Sequence, residues 1–522
     1  MQSRKVFLVH PGSNSTGFVY PLGLVYIARY LNDMGIEVEI LQFGIENFSK
    51  LKLDKYLFVG ISVTSGYMIK NALEVSRRVK AFDKDIPIIL GGVHPSILPE
   101  QTLEHPLIDM VVMGEGEETI QEVAAALIEN KDMAGIKGIG YKDKNGNIII
   151  NPKRDYMNMD SIPIDLPYKL LKEPFKHASV MPIHTSRGCP YRCSFCFNTG
   201  LTDRKYRMKS ADRVVEEIKF LIKTYGITNF TFDNEDEFFI NIQRAVEIFE
   251  RVLKENIKIR WSTFCRFDTF DMAVKKYGES FVKLLKDSGV RSIYFGAESG
   301  SQYILDNVMK KDIKVEQILS AVDLLKKYDI PHIVSFVFCI PGERPEDLRQ
   351  TMQLIDKISE NNKSIFIPTN IMTPLPRTQI LDVLVKDYNY KPPETLEGWG
   401  NYKIPFDCKD ITWHSKEYLE TCDRIKKLDT FPFYIEFKSF AEYKKCIYNS
   451  DRLLLIGYFF AKLARWRYTH NNYRFFMDVQ AYSFIFNTYN NARNILVDRI
   501  LKKYLSKKLF VFLKNIFGNK EW

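Results

Sequence analysis

Thr185-Ser186-Arg187-Gly188-Cys189-Pro190-Tyr191-Arg192-Cys193-Ser194-Phe195-Cys196 sets three thiols at Cys-x3-Cys-x2-Cys spacing, with no fourth cysteine nearby. A 4Fe-4S cluster takes one ligand per iron, so three thiolates leave one iron open to bind and activate a further group. A structural zinc site is closed by four ligands, and zinc completed by a distant His or Cys is the competing reading. Disulfides fit poorly, because 8 Cys in 522 residues and no signal-peptide pattern at the start describe a reduced, cytoplasmic protein.

Outward from the cysteines, strand-like and helix-like runs alternate in about six units from Pro182 to Pro376, with acidic, glycine-rich or arginine-bearing segments where strands should end. These are Asn229-Phe230-Thr231-Phe232-Asp233-Asn234-Glu235-Asp236-Glu237, Trp261-Ser262-Thr263-Phe264-Cys265-Arg266, Tyr294-Phe295-Gly296-Ala297-Glu298-Ser299-Gly300 and Cys339-Ile340-Pro341-Gly342-Glu343. With Phe195 directly before the third cysteine, the set resembles the radical S-adenosylmethionine (SAM) superfamily, which implies a partial (β/α)6 barrel with its chemistry at the carboxyl ends of the strands. The resemblance implies that Cys189, Cys193 and Cys196 hold a 4Fe-4S cluster. It places Phe195, Asn234, Glu235, Arg266, Glu298, Ser299 and Gly342 around SAM: Asn234 and Glu235 on its amino group, Arg266 on its carboxylate, Glu298 and Ser299 near the ribose or methionine end, and the Pro341-Gly342-Glu343 turn on adenine. The acidic loop carries one acid more than the family pattern. Met372-Thr373-Pro374-Leu375-Pro376-Arg377-Thr378 resembles a turn of the family with Arg377 in place of glycine; a side chain tolerates positive φ poorly, so this turn is expected to differ or to aim Arg377 at the substrate cavity.

The first 125 residues alternate in the same way. Strands are expected at Lys5–His10, Glu37–Gln42, Leu57–Val63, Ile86–Leu90 and Met110–Met113, and helices at Leu22–Met34, Met68–Phe82 and Glu117–Ile128. This predicts a doubly wound, Rossmann-like parallel sheet whose ligand lies at the strand ends. Three loops follow there: Ser62-Val63-Thr64-Ser65, Gly91-Gly92-Val93-His94-Pro95 and Gly114-Glu115-Gly116-Glu117. As an ordered set, with the Pro21-Leu22-Gly23-Leu24 helix opening, they resemble the cobalamin-binding domain ahead of the barrel in the cobalamin-dependent (class B) radical SAM enzymes. The resemblance puts Ser62, Thr64, Ser65, Gly91, Gly92, His94, Gly114, Glu115 and Gly116 against cobalamin. No Asp-x-His-x-x-Gly motif supplies a lower cobalt ligand, and His10 and His94 read more readily as ordinary loop histidines than as ligands.

Four segments follow: a cobalamin-binding domain (1–135), a proline-punctuated linker with a hairpin at Asn145-Gly146 (136–181), the barrel (182–385) and a basic, aromatic-rich, mostly helical domain (386–522). Residues 411–522 hold 20 Lys and Arg against 10 Asp and Glu, which accounts for the whole net charge of +10. Their amphipathic runs at 453–467 and 501–517 read as a helical cap over the barrel, as a peripheral membrane contact serving a lipid substrate, or as an RNA surface; no RNA-binding module is recognisable, which argues against nucleic acid. No apolar stretch reaches the ~20 residues of a membrane span. Cys265, Cys339, Cys408, Cys422 and Cys446 lack ligand spacing and read as small buried hydrophobes.

The resemblance implies an enzyme that cleaves SAM to a 5′-deoxyadenosyl radical, abstracts hydrogen from an unactivated carbon of a small-molecule or lipid substrate, and transfers a methyl group from methylcobalamin. Its electron donor would be of the flavodoxin or ferredoxin type. Ring closure or oxidation without methyl transfer is the alternative. A methylthiotransferase of tRNA would carry further amino-terminal cysteines, and residues 1–188 have none.

Overall fold

The computed structural model describes residues 4–12, 21–42, 53–171, 180–232, 237–428 and 462–466. Strands β1 (Lys5–His10), β2 (Glu37–Gln42), β3 (Phe58–Ser62), β4 (Ile88–Gly91) and β5 (Met110–Val112) form a parallel sheet in the order β2-β1-β3-β4-β5. β1 shows why the sheet is covered on both faces. Its interior residues are all buried; Val6 and Leu8 enter one apolar core, while Phe7 and Val9 enter another on the opposite face. A continuous apolar run whose alternate side chains serve two cores is the signature of a strand sandwiched between helices. The strand order reverses beside β1, so the crevice for a ligand opens at the carboxyl ends of β1 and β3.

The hairpin expected in the linker forms. β6 (Ile139–Lys142) and β7 (Ile148–Ile150) flank Gly146, whose φ of +83° needs glycine, and they extend the first sheet antiparallel from β5.

β8 (Met181–Ile183) starts the second sheet. A two-stranded ribbon of β9 (Ser186–Arg187) and β10 (Arg207–Met208) encloses the cysteine loop. The sheet continues in parallel through β11 (Asn229–Phe232), β12 (Arg260–Cys265), β13 (Val290–Glu298) and β14 (His332–Phe338). It ends in a broken sixth strand, β15 (Ile365–Phe366) and β16 (Thr369–Ile371), both paired to β14. Its intervening helices follow amphipathic, capped sequence: Ala211–Tyr225 begins where the Ser210 hydroxyl accepts from Arg213 N at 3.2 Å and stops at Gly226, φ +69°. Arg377 adopts φ +58°, so the turn keeps its left-handed shape despite the missing glycine, contrary to the expectation of a different turn.

The chain beyond the barrel folds back over both sheets. The helix Leu396–Asn401 lies on Tyr67–Phe82 of the first sheet, with Trp399 buried and His105 Nε2 2.8 Å from Glu397. Residues 408–425 cover the end of β14: Trp413 Nε1 donates to Cys339 O at 2.8 Å, and the Tyr418 hydroxyl to Glu343 Oε2 at 2.6 Å. The Cys339 thiol meets those of Cys408 and Cys422 there. These three and Cys265 are buried, as expected of small hydrophobes, and Cys446 lies outside the described residues. So do the basic stretches at 453–467 and 501–517, apart from 462–466. Among the described residues no helix is long and apolar enough to cross a membrane.

Candidate active site

The cysteine loop is tied to the barrel at several points. Arg192 makes a bidentate pair with Asp312 (2.8 and 2.9 Å), and Ser194 bonds through N to Met309 O (2.9 Å) and through Oγ to Val308 O (2.7 Å). Its partners belong to a π-helical turn, Ile304–Val308, and the residues after it. Behind the loop, Gly188 holds φ +84° with Lys205 O 2.0 Å from where a Cβ would stand, so only glycine fits directly ahead of Cys189.

Cys193 is buried, whereas Cys189 and Cys196 are half-buried. Burial, reinforced by the neighbouring Cys196 and Cys193, pushes the Cys189 thiol up to about 12. A thiol held neutral by burial beside two others suits a cationic iron cluster, which would stabilise it as the thiolate. Among the described residues no three His, Cys, Asp or Glu side chains converge closely enough for a single metal ion.

Arg266 lies at this site, but its guanidinium is occupied. It forms a fork with Asp268 (2.9 Å twice), donates to Lys311 O (2.5 Å), stacks 3.6 Å from the Tyr191 ring centre and reaches Cys193 Sγ at 3.5 Å. It therefore braces the cysteine loop rather than presenting an open fork to a carboxylate. Lys311, which the sequence reading missed, carries the charge nearer to Phe195: its Nζ is 5.8 Å from the Phe195 ring centre and 2.6 Å from Glu298 Oε1. A Cβ on Gly296 would stand 2.0 Å from that oxygen, so the Gly-x-Glu spacing makes room for the ion pair. Glu298 has φ +65°, at a register shift between β13 and β14.

Ser299 is committed to protein contacts. It is fully buried, its hydroxyl 3.2 Å from Thr351 Oγ1 and accepting from Ser301 N, so it ties β13 to the helix Pro345–Ser359. Gly342, φ +77°, opens the turn after β14. Asn234 and Glu235 lie outside the described residues. Glu237, at the end of their loop, is buried beside Cys189, Tyr191 and Arg266; burial pushes its carboxyl up to about 8, against the pull of Arg266. An acid run is the only sequence signal that could have found it.

Between the two sheets lies a cavity of about 300 Å³. Its inner wall is apolar, with Leu8, Leu24, Ile27, Phe58, Ile89 and Val112; its rim is Ser62, Gly91, Gly92, Gly114, Glu115 and Gly116; its far wall belongs to the barrel, with His184, Arg187, Gly188, Asn198 and Arg207. A Cβ on Gly92 would meet Val63 O at 2.8 Å, so the rim admits backbone where side chains cannot go. An apolar slot under a glycine rim would suit the aromatic tail of cobalamin, which these residues would hold.

Thr64, Ser65 and His94 are not part of this cavity. Thr64 bonds Met68 Sδ, and Ser65 Oγ lies 2.9 Å from Nδ1 of His94, which is fully buried edge-on to Trp399. The chain turns into the helix Tyr67–Phe82 just there, which takes these side chains away from the strand ends. Glu115 lines the cavity but is committed across it: its carboxylate accepts from Arg207 Nη1 (3.1 Å) and lies 3.4 Å from Arg187, whose other Nη is 2.6 Å from Glu117. Burial opposes ionisation of Glu115, yet Arg187 and Arg207 hold its carboxyl below the usual range. The Gly-Glu-Gly-Glu loop thus clamps the first sheet to the residues immediately ahead of Cys189.

Residues 183–355 match the Radical SAM superfamily and residues 11–124 the B12 binding domain. An uncharacterized methyltransferase of Pyrococcus horikoshii, PH0819, is 32% identical over 404 residues, spanning 74% of this chain and 84% of the relative. The anaerobic magnesium-protoporphyrin IX monomethyl ester cyclase of Rubrivivax gelatinosus is 27% identical over 376 residues, 67% of this chain and 65% of the cyclase. The fold is also that of OxsB, solved as a cobalamin-dependent SAM radical enzyme with aqua-cobalamin and SAM bound (TM-score 0.68, 18% identity, 99% of this chain and 82% of that one). A cobalamin-type glycine rim and a three-cysteine loop walling the same cavity agree with these matches, and the chain belongs to the cobalamin-dependent radical SAM enzymes.

Proposed function

We propose that this enzyme methylates an unactivated carbon. When bound, SAM at the cluster supplies a 5′-deoxyadenosyl radical that removes a hydrogen atom, and cobalamin supplies the methyl group. The observation that carries this reading is the shared cavity: His184, Arg187 and Gly188, next to the cysteines, wall the same space as the glycine rim of the first domain. Two cofactors held so close can act on one substrate without a carrier step. The likeness to a methyltransferase across most of both chains supports the same reading.

The protein's own work is to position and to exclude water. The cysteines hold the cluster, Arg266 and Asp268 brace their loop, Glu237 and the Lys311–Glu298 pair offer polar groups to SAM beside Phe195, and the clamp of Glu115 and Glu117 with Arg187 and Arg207 sets the spacing of the two domains. The electron comes from a one-electron donor of the flavodoxin or ferredoxin class. The substrate is a small molecule; the basic, aromatic composition of 411–522 supports a lipid reached by peripheral membrane contact. The test is product counting in the reconstituted enzyme with candidate substrate extracts. Methyl transfer releases S-adenosylhomocysteine and 5′-deoxyadenosine in about equal amounts; 5′-deoxyadenosine alone would move the assignment to the cyclase-type alternative.

A further inference from the structure

His184 follows β8 and lines the shared cavity, and among the described residues its Nδ1 has no hydrogen-bond partner and is sealed from solvent. Its ring contact is Tyr26, stacked at 5.8 Å, which lies under the Arg187 guanidinium. Sealed in this way, Nδ1 is out of a ligand's reach as well, so Nε2 is the ring atom that can bond to a molecule in the cavity.

We propose that His184 is a cobalamin contact, its Nε2 giving one hydrogen bond from the barrel wall to the heteroaromatic base of the nucleotide tail while that base lies in the apolar slot of the first sheet. This rests on the cobalamin reading above. The slot walls offer aliphatic and phenyl surface, which suits a flat aromatic base but leaves its ring nitrogen unpaired. Most polar side chains at the mouth are already engaged. Thr202 donates to Asn198 O, Ser96 bonds Gly92 O and Gly114 N, Tyr156 reaches Asp203, and both arginines are held by Glu115 and Glu117. Among the described residues, His184 and, on the opposite rim, Ser62 stay uncommitted.

The imidazole is also of the right charge. Burial, with Arg187 and Lys209 adding repulsion, pushes it down to about 3, so it is an uncharged donor suited to an uncharged heterocycle. An anionic phosphate would seek a free arginine.

The test compares cobalamin with cobinamide, the corrinoid lacking the nucleotide tail, by titrating the cluster-reconstituted full chain. His184→Ala is expected to weaken cobalamin binding about tenfold, the loss of one hydrogen bond and its stranded acceptor, while cobinamide affinity stays unchanged. His184→Gln, which can still donate, should recover part of the loss; it also carries the comparison if the alanine variant loses iron or unfolds. Equal weakening toward both corrinoids, or no change toward either, overturns the proposal. So does a histidine nitrogen splitting in the cob(II)alamin spectrum of the wild type that vanishes in His184→Ala, because that puts the ring on cobalt. Failure of the wild type to bind either corrinoid would instead overturn the cobalamin reading itself, and this proposal with it.

Discussion

Gly188→Ala should abolish cluster assembly, and the cost can be worked from the backbone. Gly188 has φ +84°, a region that costs an L-residue roughly 1–2 kcal/mol. Its added Cβ would stand 2.0 Å from Lys205 O, where ordinary contact begins at 3.4 Å. That carbonyl cannot easily retreat, since Lys205 N is bonded to Thr202 O at 2.9 Å and Arg207 pairs with Arg187 across the β9–β10 ribbon. Forcing an extra methyl into such a site adds about 1–3 kcal/mol and shifts the backbone at Cys189. Gly226→Ala is the control. It carries a similar φ of +69° with nothing within 4 Å, so it should lose only about 1 kcal/mol, the dihedral term. Urea unfolding of both apo variants, with iron content after anaerobic reconstitution, separates clash from dihedral cost. The reasoning fails if Gly188→Ala takes up full iron and matches Gly226→Ala in stability.

Cys193→Ala should lose the cluster and SAM cleavage while corrinoid binding survives, read by iron content and corrinoid absorbance; joint loss would argue that the two sites do not form independently. Glu343 gives a pH signature: burial, opposed by the Tyr418 hydroxyl, raises its carboxyl to about 7. The folded state therefore holds a proton that the unfolded chain releases near 4.5, so stability should fall as pH rises from about 4.5 to 7, by up to about 3 kcal/mol; Glu343→Gln should flatten that slope in urea unfolding at pH 5 and 8. Arg377→Gly should relieve the left-handed strain and leave stability unchanged or raise it by about 1 kcal/mol in the same assay, whereas a loss would mean that the arginine side chain is itself a contact.

The strands and glycine loops of the first sheet were legible because apolar period and turn chemistry are local, and the structure places those strands within two residues of the sequence reading. What a motif cannot state is which way a side chain turns after the strand ends. Ser62 and Gly92 face the cavity, while Thr64, Ser65 and His94, a few residues on, are drawn toward Met68 and Trp399 by the next helix and by a segment some 300 residues away. For the same reason Glu115 read as a corrin contact when its partners, Arg187 and Arg207, come from the barrel. Lys311 had no motif at all; it became visible only once Gly296 and Glu298 were seen to leave it a socket.

Anaerobic reconstitution of the full chain with iron, sulfide and hydroxocobalamin, followed by corrinoid and iron quantification and a SAM-cleavage assay, bears most directly on the claim that one cavity joins two cofactors. About one corrinoid and four irons per chain, with 5′-deoxyadenosine released from SAM on reduction, is the predicted result. A folded, reconstituted chain that binds neither cobalamin nor SAM would contradict it.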